Sequence, residues 1–294
     1  MSPHQNKISD PTLTLQTDTI KTKANNVVFN APLVSQVATL QTGDSIIDTG
    51  TGGTLNATFN PVATNIVGAA IQGVSTWNLT NEGTFNFGNG NTQLITGGSL
   101  ISGLSTVNDV NSNAPIDVGV TGASLQSALT TVGMTNTDSP LSVLIAASAL
   151  SGANDSLAVN FNNAGIVGSF AQLTIGPDNN ATNGYENWNI SITGNNSVML
   201  SDGSATSATT MTISGSGNIT LDLDASFVNL TTINVLATGT VFITFDPPEG
   251  QVGHLTVVKG GSGNDTFDLS DAAYTPAVIN AMTTLDGGAL VRPS

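Results

Sequence analysis

The chain of 294 residues contains no cysteine, few aromatic residues and few charged ones. Disulfide bonds and thiolate metal sites are therefore excluded. The two histidines, His4 and His254, lie far apart in the sequence, so a zinc site is not expected either. Charged residues make up only 9%, whereas about a quarter is usual. The polar surface must therefore consist mainly of Thr, Ser, Asn and Gly, which suit strands and turns better than helices.

Positive charge is absent from most of the chain. The five cations are Lys7, Lys21, Lys23, Lys259 and Arg292. Residues 24–258 therefore contain no Lys or Arg, but they hold 14 Asp and Glu. Nucleic acid is not expected as a partner, because Lys and Arg are needed to neutralise its phosphates, and anionic membrane surfaces are disfavoured for the same reason. Protons, solvent or metal cations must balance these carboxylates.

No apolar run is long enough to span a bilayer, for which about 20 residues are needed. The longest candidate, residues 141–150, has ten residues and includes serines. The first residues also lack the basic and then apolar pattern of a signal peptide. We therefore expect no membrane span. If the chain is exported, we expect either a route without an N-terminal signal or a fragment of a longer protein.

Short segments with alternating apolar residues dominate from Val27 onward, and turns rich in Gly, Asn, Asp and Ser separate them. Examples are residues 219–223, 233–235 and 241–245. Regular short strands with turn signals are typical of all-β folds. We predict a parallel β-solenoid, or an elongated multi-sheet β structure, with short helical interruptions.

Composition divides the chain into three parts. These are a polar extended lead-in over residues 1–26, a β-rich Thr/Asn/Gly region over residues 27–250, and a C-terminal part over residues 251–294. The segment Trp77-Asn78-Leu79-Thr80 is echoed by Trp188-Asn189-Ile190-Ser191, which suggests two related halves.

Two short helices are expected. Ser124 is placed to cap one over residues 125–132, where Leu125, Leu129 and Val132 share a face. Thr275, followed by proline, is a good N-cap for a second helix that ends near Gly287.

Residues 260–268, with the sequence GGSGNDTFD, match every defined position of the nonapeptide G-G-x-G-x-D-x-U-x. Gly260, Gly261 and Gly263 permit a tight turn whose carbonyl groups point inward. The Asp265 carboxylate supplies the hard oxygen that calcium prefers. The segment therefore predicts a Ca²⁺ site formed by these four residues. The other interpretation is an ordinary Gly-Asn-Asp turn between two strands.

A second acidic turn, bounded by glycines, covers residues 43–50 and contains Asp44 and Asp48. It has the acid-rich character of a calcium turn but not the spacing of the nonapeptide. Whether residues 43–50 form a second, degenerate metal site stays an open question.

The chain resembles the bacterial surface-layer proteins of the RTX type, the group that includes the Caulobacter-type family. Four segments carry the resemblance: residues 260–268, residues 40–57 with "GDSI" and "TLNA", residues 183–190 with "GYE", and residues 213–221. The chain departs from the family in having a single nonapeptide, so it is a short member, a fragment or a derived protein with another role.

The resemblance implies a lattice-forming β-solenoid that extracellular calcium orders. It also implies secretion to the bacterial cell surface by a type I-like system that reads a C-terminal signal. Only Asp265, as a side-chain calcium ligand, and the carbonyl groups of Gly260, Gly261 and Gly263 are carried over from the family.

Enzymatic activity is not expected, because neither histidine stands in a convincing triad and no nucleophile elbow or nucleotide-binding loop occurs. Two functions stay open. The first is a structural protein whose partner is a copy of itself. The second is an RTX-type adhesin that binds a carbohydrate, such as a cell-surface polysaccharide.

Overall fold

The protein is a parallel β-solenoid of about ten turns, with 48% of its described residues in strands, as seen in a computed structural model. The solenoid and all-β predictions are therefore confirmed. The structure describes residues 10–84, 91–166, 169–203, 205–245, 253–270, 274–286 and 289–291.

The described residues form twenty-seven strands, which follow one another along the chain. The first fourteen are β1 (Thr19–Thr22), β2 (Val28–Ala31), β3 (Leu33–Val34), β4 (Val37–Ala38), β5 (Ser45–Asp48), β6 (Gly53–Phe59), β7 (Asn65–Val67), β8 (Ala70–Gln72), β9 (Val74–Asn81), β10 (Gln93–Ile95), β11 (Ile101–Ser102), β12 (Thr106–Val110), β13 (Ile116–Val118) and β14 (Thr131–Thr135). The others are β15 (Leu141–Ile145), β16 (Ser156–Asn162), β17 (Ala171–Pro177), β18 (Asn187–Thr193), β19 (Asn195–Ser201), β20 (Thr210–Gly215), β21 (Asn218–Leu223), β22 (Thr232–Val235), β23 (Val241–Phe245), β24 (Val257–Lys259), β25 (Thr266–Asp268), β26 (Thr284–Asp286) and β27 (Ala289–Val291).

Three parallel sheets run along the solenoid. The long sheet has 11 strands in the order β2-β6-β9-β12-β14-β16-β18-β20-β22-β24-β26. The second sheet has 10 strands in the order β7-β10-β13-β15-β17-β19-β21-β23-β25-β27. A short sheet, β1-β5-β8-β11, closes the third side of the early turns only. The hairpin β3–β4 is the one antiparallel pair among the described strands.

Alternation places one face of each strand inside, where residues of successive turns stack in columns. Trp77 stacks between Leu55 and Val107, and all three are fully buried. Burying a side chain such as Leu55 or Val107 stabilises the fold by about 1.5–3 kcal/mol. A slip of one residue would turn the column outward, so the register is strongly specified.

The two tryptophan segments lie on the same sheet but not in the same column. Trp77 is in register with Val107, and that column continues to Ile190, two residues after Trp188. The two tryptophans therefore occupy different positions in the cross-section of the solenoid.

A hydroxyl ladder joins the turns where the chain enters the long sheet. Thr209, Thr231, Thr256 and Thr283 each donate a hydroxyl hydrogen bond to a backbone carbonyl one turn earlier, at 3.0–3.2 Å. The abundance of threonine thus has a local cause, because these hydroxyls add a side-chain link to each backbone ladder.

Helical segments are short. Among the described residues, the 3₁₀ helices are Gly98–Leu100, Ala147–Leu150, Asp178–Asn180 and Ala225–Asn229, and the α-helix is α1 (Pro276–Ala281). The start of the second predicted helix is confirmed, because Thr275 accepts a hydrogen bond from the Val278 backbone N–H. Its predicted end near Gly287 is wrong, because α1 ends at Ala281 and Thr284–Asp286 form β26. The predicted helix over residues 125–132 is wrong. Leu125 forms a parallel bridge with Ile145, and residues from 131 belong to β14. Pairing between turns outweighed the helical spacing there.

Candidate functional site

The predicted calcium turn lies between β24 and β25, on the corner that joins the long and second sheets. Asp265 is 1% exposed, immediately before β25. Its carboxylate accepts one hydrogen bond from the Gly261 backbone N–H at 2.6 Å and one from the Val241 backbone N–H at 3.1 Å. The first bond closes the turn, and the second crosses to the preceding turn of the solenoid.

The glycines of this turn are needed for close contact between solenoid turns. A β-carbon on Gly261 would lie 2.4 Å from the Ala237 carbonyl oxygen, and one on Gly263 would lie 2.0 Å from that of Gly239. Both distances are far below van der Waals contact. The Gly260 N–H donates to the Asp286 carbonyl oxygen of the following turn at 2.6 Å. The four predicted residues therefore form one compact turn.

These hydrogen bonds account for a buried Asp265 without a cation. They use two of the roughly four acceptor positions of a carboxylate. A calcium ion would have to reach the others in a site that is already closed to solvent. Calcium binding at Gly260, Gly261, Gly263 and Asp265 stays a prediction.

The second acidic turn repeats this arrangement. Asp44 is 1% exposed, and its carboxylate accepts hydrogen bonds from Gln41 N–H at 2.7 Å and Asp18 N–H at 2.8 Å. One bond again closes the turn, and the other reaches the preceding turn. Asp48 accepts one bond from Gly50 N–H at 2.8 Å, while its Oδ2 has no partner among the described residues. The two acidic turns that stand out in the sequence thus share a carboxylate bridge between turns.

Asp109, which no sequence motif marks, lies in β12 and is fully buried. Its carboxylate accepts hydrogen bonds from the hydroxyls of Ser112 and Thr137, the latter at 3.1 Å. Burial raises the pKa of Asp109 from 3.8 to about 7, although both hydroxyls act to lower it. It is a structural acid that links two successive turns.

Asp202 is the least satisfied of the buried acids. It follows β19, is fully buried, and neither carboxylate oxygen has a hydrogen-bond partner within the described part of the chain. Burial, and then the charges of Asp224 and Glu186, raise the pKa of Asp202 from 3.8 to about 9. Only its place in the fold shows this, because Ser-Asp-Gly reads as an ordinary surface turn in the sequence.

No three His, Cys, Asp or Glu side chains of the described residues are grouped so that they could hold a metal ion. His254 is exposed, and His4 lies outside the described residues. Within the described ranges, no helix has the length and apolar character that crossing a bilayer requires.

The outer face of the long sheet carries no charge from β6 to β22. Two central columns of side chains run along this face. The first consists of Thr54, Thr76, Thr106, Thr131, Ala158, Asn189, Thr212 and Asn234. The second consists of Asn56, Asn78, Asn108, Gly133, Asn160, Ser191 and Ser214. The amide of Asn78 donates to Asn56 at 2.9 Å, and that of Asn108 donates to Asn78 at 2.8 Å. The face is therefore regular, polar, uncharged and stiffened by side-chain ladders. By contrast, Asp117 and Asp222 lie on the outer side of the second sheet.

A groove of about 620 Å³ lies at the end of the second sheet, between the hairpin β3–β4 and the edge strand β7. Its lining contains no charged residue and combines exposed aliphatic groups with amides. Val62 is 92% exposed and Ile66 is 59% exposed. Gln41 and Asn65 are among the amides. The groove offers apolar surface and neutral hydrogen-bonding groups, without charge.

Comparison with known protein families finds no family whose model matches this chain. No curated protein sequence matches it either.

Proposed function

We propose that the chain is a structural, secreted protein of the bacterial cell surface that assembles with copies of itself into a calcium-dependent surface layer. The observation that carries the proposal is the uncharged outer face of the long sheet on an otherwise acidic solenoid. The net charge of the chain is −15, so copies repel one another over most of their surface. They can approach with least repulsion through a face that has no carboxylates.

The size of this face supports a stable contact. Its eight strands from β6 to β22, at about 4.8 Å per strand and about 3.3 Å per residue over five residues, span roughly 38 Å by 17 Å. Two such faces in contact bury roughly 1,300 Å², within the range of about 1,200–2,000 Å² for specific interfaces. The face has no aromatic platform for stacking on sugar rings, which favours a second copy as its partner.

The assignment of this face is tested with Thr131→Glu, which places a carboxylate at the centre of the face in β14. Thr174→Glu in β17 is the matched control, since Thr174 is a half-buried residue on the outer side of the second sheet. We expect sedimentation and electron microscopy to show ordered assemblies of the native chain and of T174E in calcium. T131E should stay monomeric at the same concentration. Equal assembly of both variants would contradict the assignment of the face, and a native chain that stays monomeric would contradict self-assembly.

Calcium enters the proposal as the counter-ion of an acidic surface that lacks Lys and Arg over residues 24–258. Extracellular calcium modules bind with dissociation constants of about 10⁻⁴–10⁻³ M. Assembly should therefore appear in millimolar calcium and reverse on adding a chelator.

Export by a type I-like system is also part of the proposal. Deletion of residues 271–294 should abolish secretion, and secretion that persists would remove the proposed signal.

The groove beside β7 favours a second candidate, a surface adhesin that binds a neutral carbohydrate. Its amides can bind hydroxyl groups, and its aliphatic residues can cover the apolar face of a sugar. Val62→Asp introduces a charge into the groove, and Leu236→Asp is the control at a distant exposed residue. If the chain is an adhesin, the native chain should stay monomeric. The native chain and L236D should then both bind a glycan that V62D does not bind. Assembly without glycan binding would favour the surface layer.

A further inference from the structure

Two apolar side chains, Ile166 and Phe170, project from the loop that joins β16 to β17, and we call them the knob. Ile166 is 64% exposed and Phe170 is 38% exposed. A tight antiparallel bridge closes this loop, because Ile166 N–H donates to the Ser169 carbonyl oxygen at 3.0 Å and Ser169 N–H donates back at 2.8 Å. The knob lies on the corner between the long sheet and the second sheet.

The base of the knob is anchored to the solenoid turns on both sides. Gly165 N–H donates to the Thr137 carbonyl oxygen of the preceding turn at 2.7 Å. In the following turn, Ser197 N–H donates to the Ala164 carbonyl oxygen at 2.7 Å. Ala164 N–H in turn donates to Asn196 Oδ1 at 3.0 Å. The knob is therefore presented on a fixed backbone, which lowers the entropy cost of binding.

The groove beside β7 is the other concentration of exposed apolar side chains. Nine large apolar side chains of the described residues are exposed. Two of the nine form the knob, and four lie on the hairpin β3–β4 or on and beside β7, namely Val34, Val37, Val62 and Ile66. Single exposed apolar residues are normal on a protein surface, whereas clusters indicate contact surfaces.

Both places are free of charge in an acidic chain. Residues 24–43 and 49–81, which supply both walls of the groove, contain no Asp, Glu, Lys or Arg, and neither do residues 156–177 around the knob. The net charge of −15 makes most contacts between copies repulsive. The knob and the groove can meet without burying a carboxylate.

One copy cannot bring its own knob into its own groove. Along the long sheet, β6 beside the groove is the second strand and β16 beside the knob is the sixth. Four turns at about 4.8 Å per turn separate the two places by roughly 19 Å along the axis. Because both lie on the same corner, a two-fold axis midway between them would place the knob of each copy at the groove of the other.

A surface layer needs a second contact of this kind. Contact between two identical faces is isologous and closes at a pair of copies. The uncharged face of the long sheet, which carries the proposed function, therefore forms pairs but does not extend them. Another surface of each copy must join the pairs.

We propose that the knob of one copy fills the groove beside β7 of a second copy, and that this contact joins face-to-face pairs into a layer. Ile166 packs there against Val62 and Ile66. The contact is too small to hold two single copies together, and it acts in a layer, where many such contacts work at once. The inference rests on the proposed self-assembly and supplies its second interface.

Sedimentation of charge variants in calcium tests this contact. Ile166→Asp alters the knob, Val62→Asp alters the groove, and Leu236→Asp is the control at a distant exposed residue. We expect I166D and V62D to stop at pairs of copies, because the long-sheet face is intact. The native chain and L236D should form larger assemblies, and thermal unfolding checks that each variant is folded.

The other outcomes separate this contact from the face. Assemblies of I166D or V62D as large as native ones would overturn the proposal and leave the groove to a glycan. A monomeric I166D would overturn it too, since the knob would then belong to the first contact. A native chain that stops at pairs would refute this inference alone, and one that stays monomeric would refute the proposed self-assembly and this inference with it.

Cross-linking identifies the two partners directly, because the native chain has no cysteine. Val62→Cys and Ile166→Cys variants, mixed in calcium and treated with a short bis-maleimide, should give covalent dimers that neither variant gives alone. A mixture of I166C with L236C is the control and should give none. Equal yields of dimer in the two mixtures would overturn the pairing of the knob with this groove.

Discussion

Asp265→Asn separates the bridging role of this aspartate from a role in calcium binding. In the native chain the carboxylate joins two turns by accepting from Gly261 N–H and Val241 N–H. An asparagine side chain has one oxygen and one amide group, so it can accept only one of these bonds. Its NH₂ group would face the other backbone N–H, and two donors would then meet in a buried site.

The expected cost follows from these two bonds. A hydrogen bond to a charged group contributes about 1.5–3 kcal/mol, and a buried N–H left without a partner costs about 1–3 kcal/mol. Part of this overlaps, so D265N should lower the free energy of unfolding by about 2–4 kcal/mol. Asp268→Asn is the control, because among the described residues Asp268 makes only a local bond, accepting from Ser270 N–H at 3.0 Å. It should cost less than about 1 kcal/mol.

Urea unfolding followed by circular dichroism measures both variants, first in EDTA and then in millimolar calcium. The bridging role predicts the same loss of stability for D265N in both conditions. Native-like stability of D265N in EDTA would refute the bridge. A loss seen only in calcium would show that the carboxylate acts through a bound ion instead.

Three further predictions concern stability. The folded chain holds a proton on Asp202, whose pKa is raised from 3.8 to about 9 by burial and by Asp224 and Glu186, while the unfolded chain releases it near the ordinary pKa. In EDTA, this group should therefore lower the unfolding free energy by about 1.4 kcal/mol per pH unit as pH rises between about 4 and 9. If the urea midpoint of D202N falls with pH as steeply as that of the native chain, this prediction is contradicted. Gly263→Ala should cost about 1–3 kcal/mol in urea unfolding, because its β-carbon would lie 2.0 Å from the Gly239 carbonyl oxygen, and unchanged stability would show that the turns are less closely packed. Trp188→Phe should cost about 1 kcal/mol more than Trp77→Phe, since Trp188 Nε1 donates to the Tyr185 carbonyl at 3.0 Å and Trp77 Nε1 has no partner among the described residues; equal thermal stabilities would argue against this bond.

Local patterns were enough for many elements of the fold. The segments 219–223, 233–235 and 241–245 alternate apolar and polar residues, and each coincides with a strand with one buried face. Thr275 and the proline after it marked the start of α1, because capping depends only on neighbouring residues. The helix over residues 125–132 could not be excluded locally, since pairing of Leu125 with the later Ile145 decides its conformation.

The candidate sites divide in the same way. The glycines and Asp265 of the nonapeptide are visible in the sequence as one turn. Their partners, Val241, Ala237 and Gly239, are not, because the length of each solenoid turn sets which residues face them. Asp202 has no motif at all, and its burial arises from the packing of Gly184 and the turn that contains Ser226.

By itself, the sequence determined that this chain is a β-rich, acidic protein, since alternation, turn residues and charge are properties of neighbouring residues and of composition. Only the tertiary structure decided which carboxylates are bonded and which are bare. The stacking register brings together groups that lie more than 20 residues apart. It adds Val241 N–H to the local Gly261 N–H as a donor to Asp265, and it brings no donor from the described residues to the Asp202 carboxyl group. A hydrogen-bond partner one solenoid turn away cannot be recognised from the neighbouring residues in the sequence. The sequence motif therefore marked Asp265, whereas the least satisfied carboxyl group among the described residues is that of Asp202.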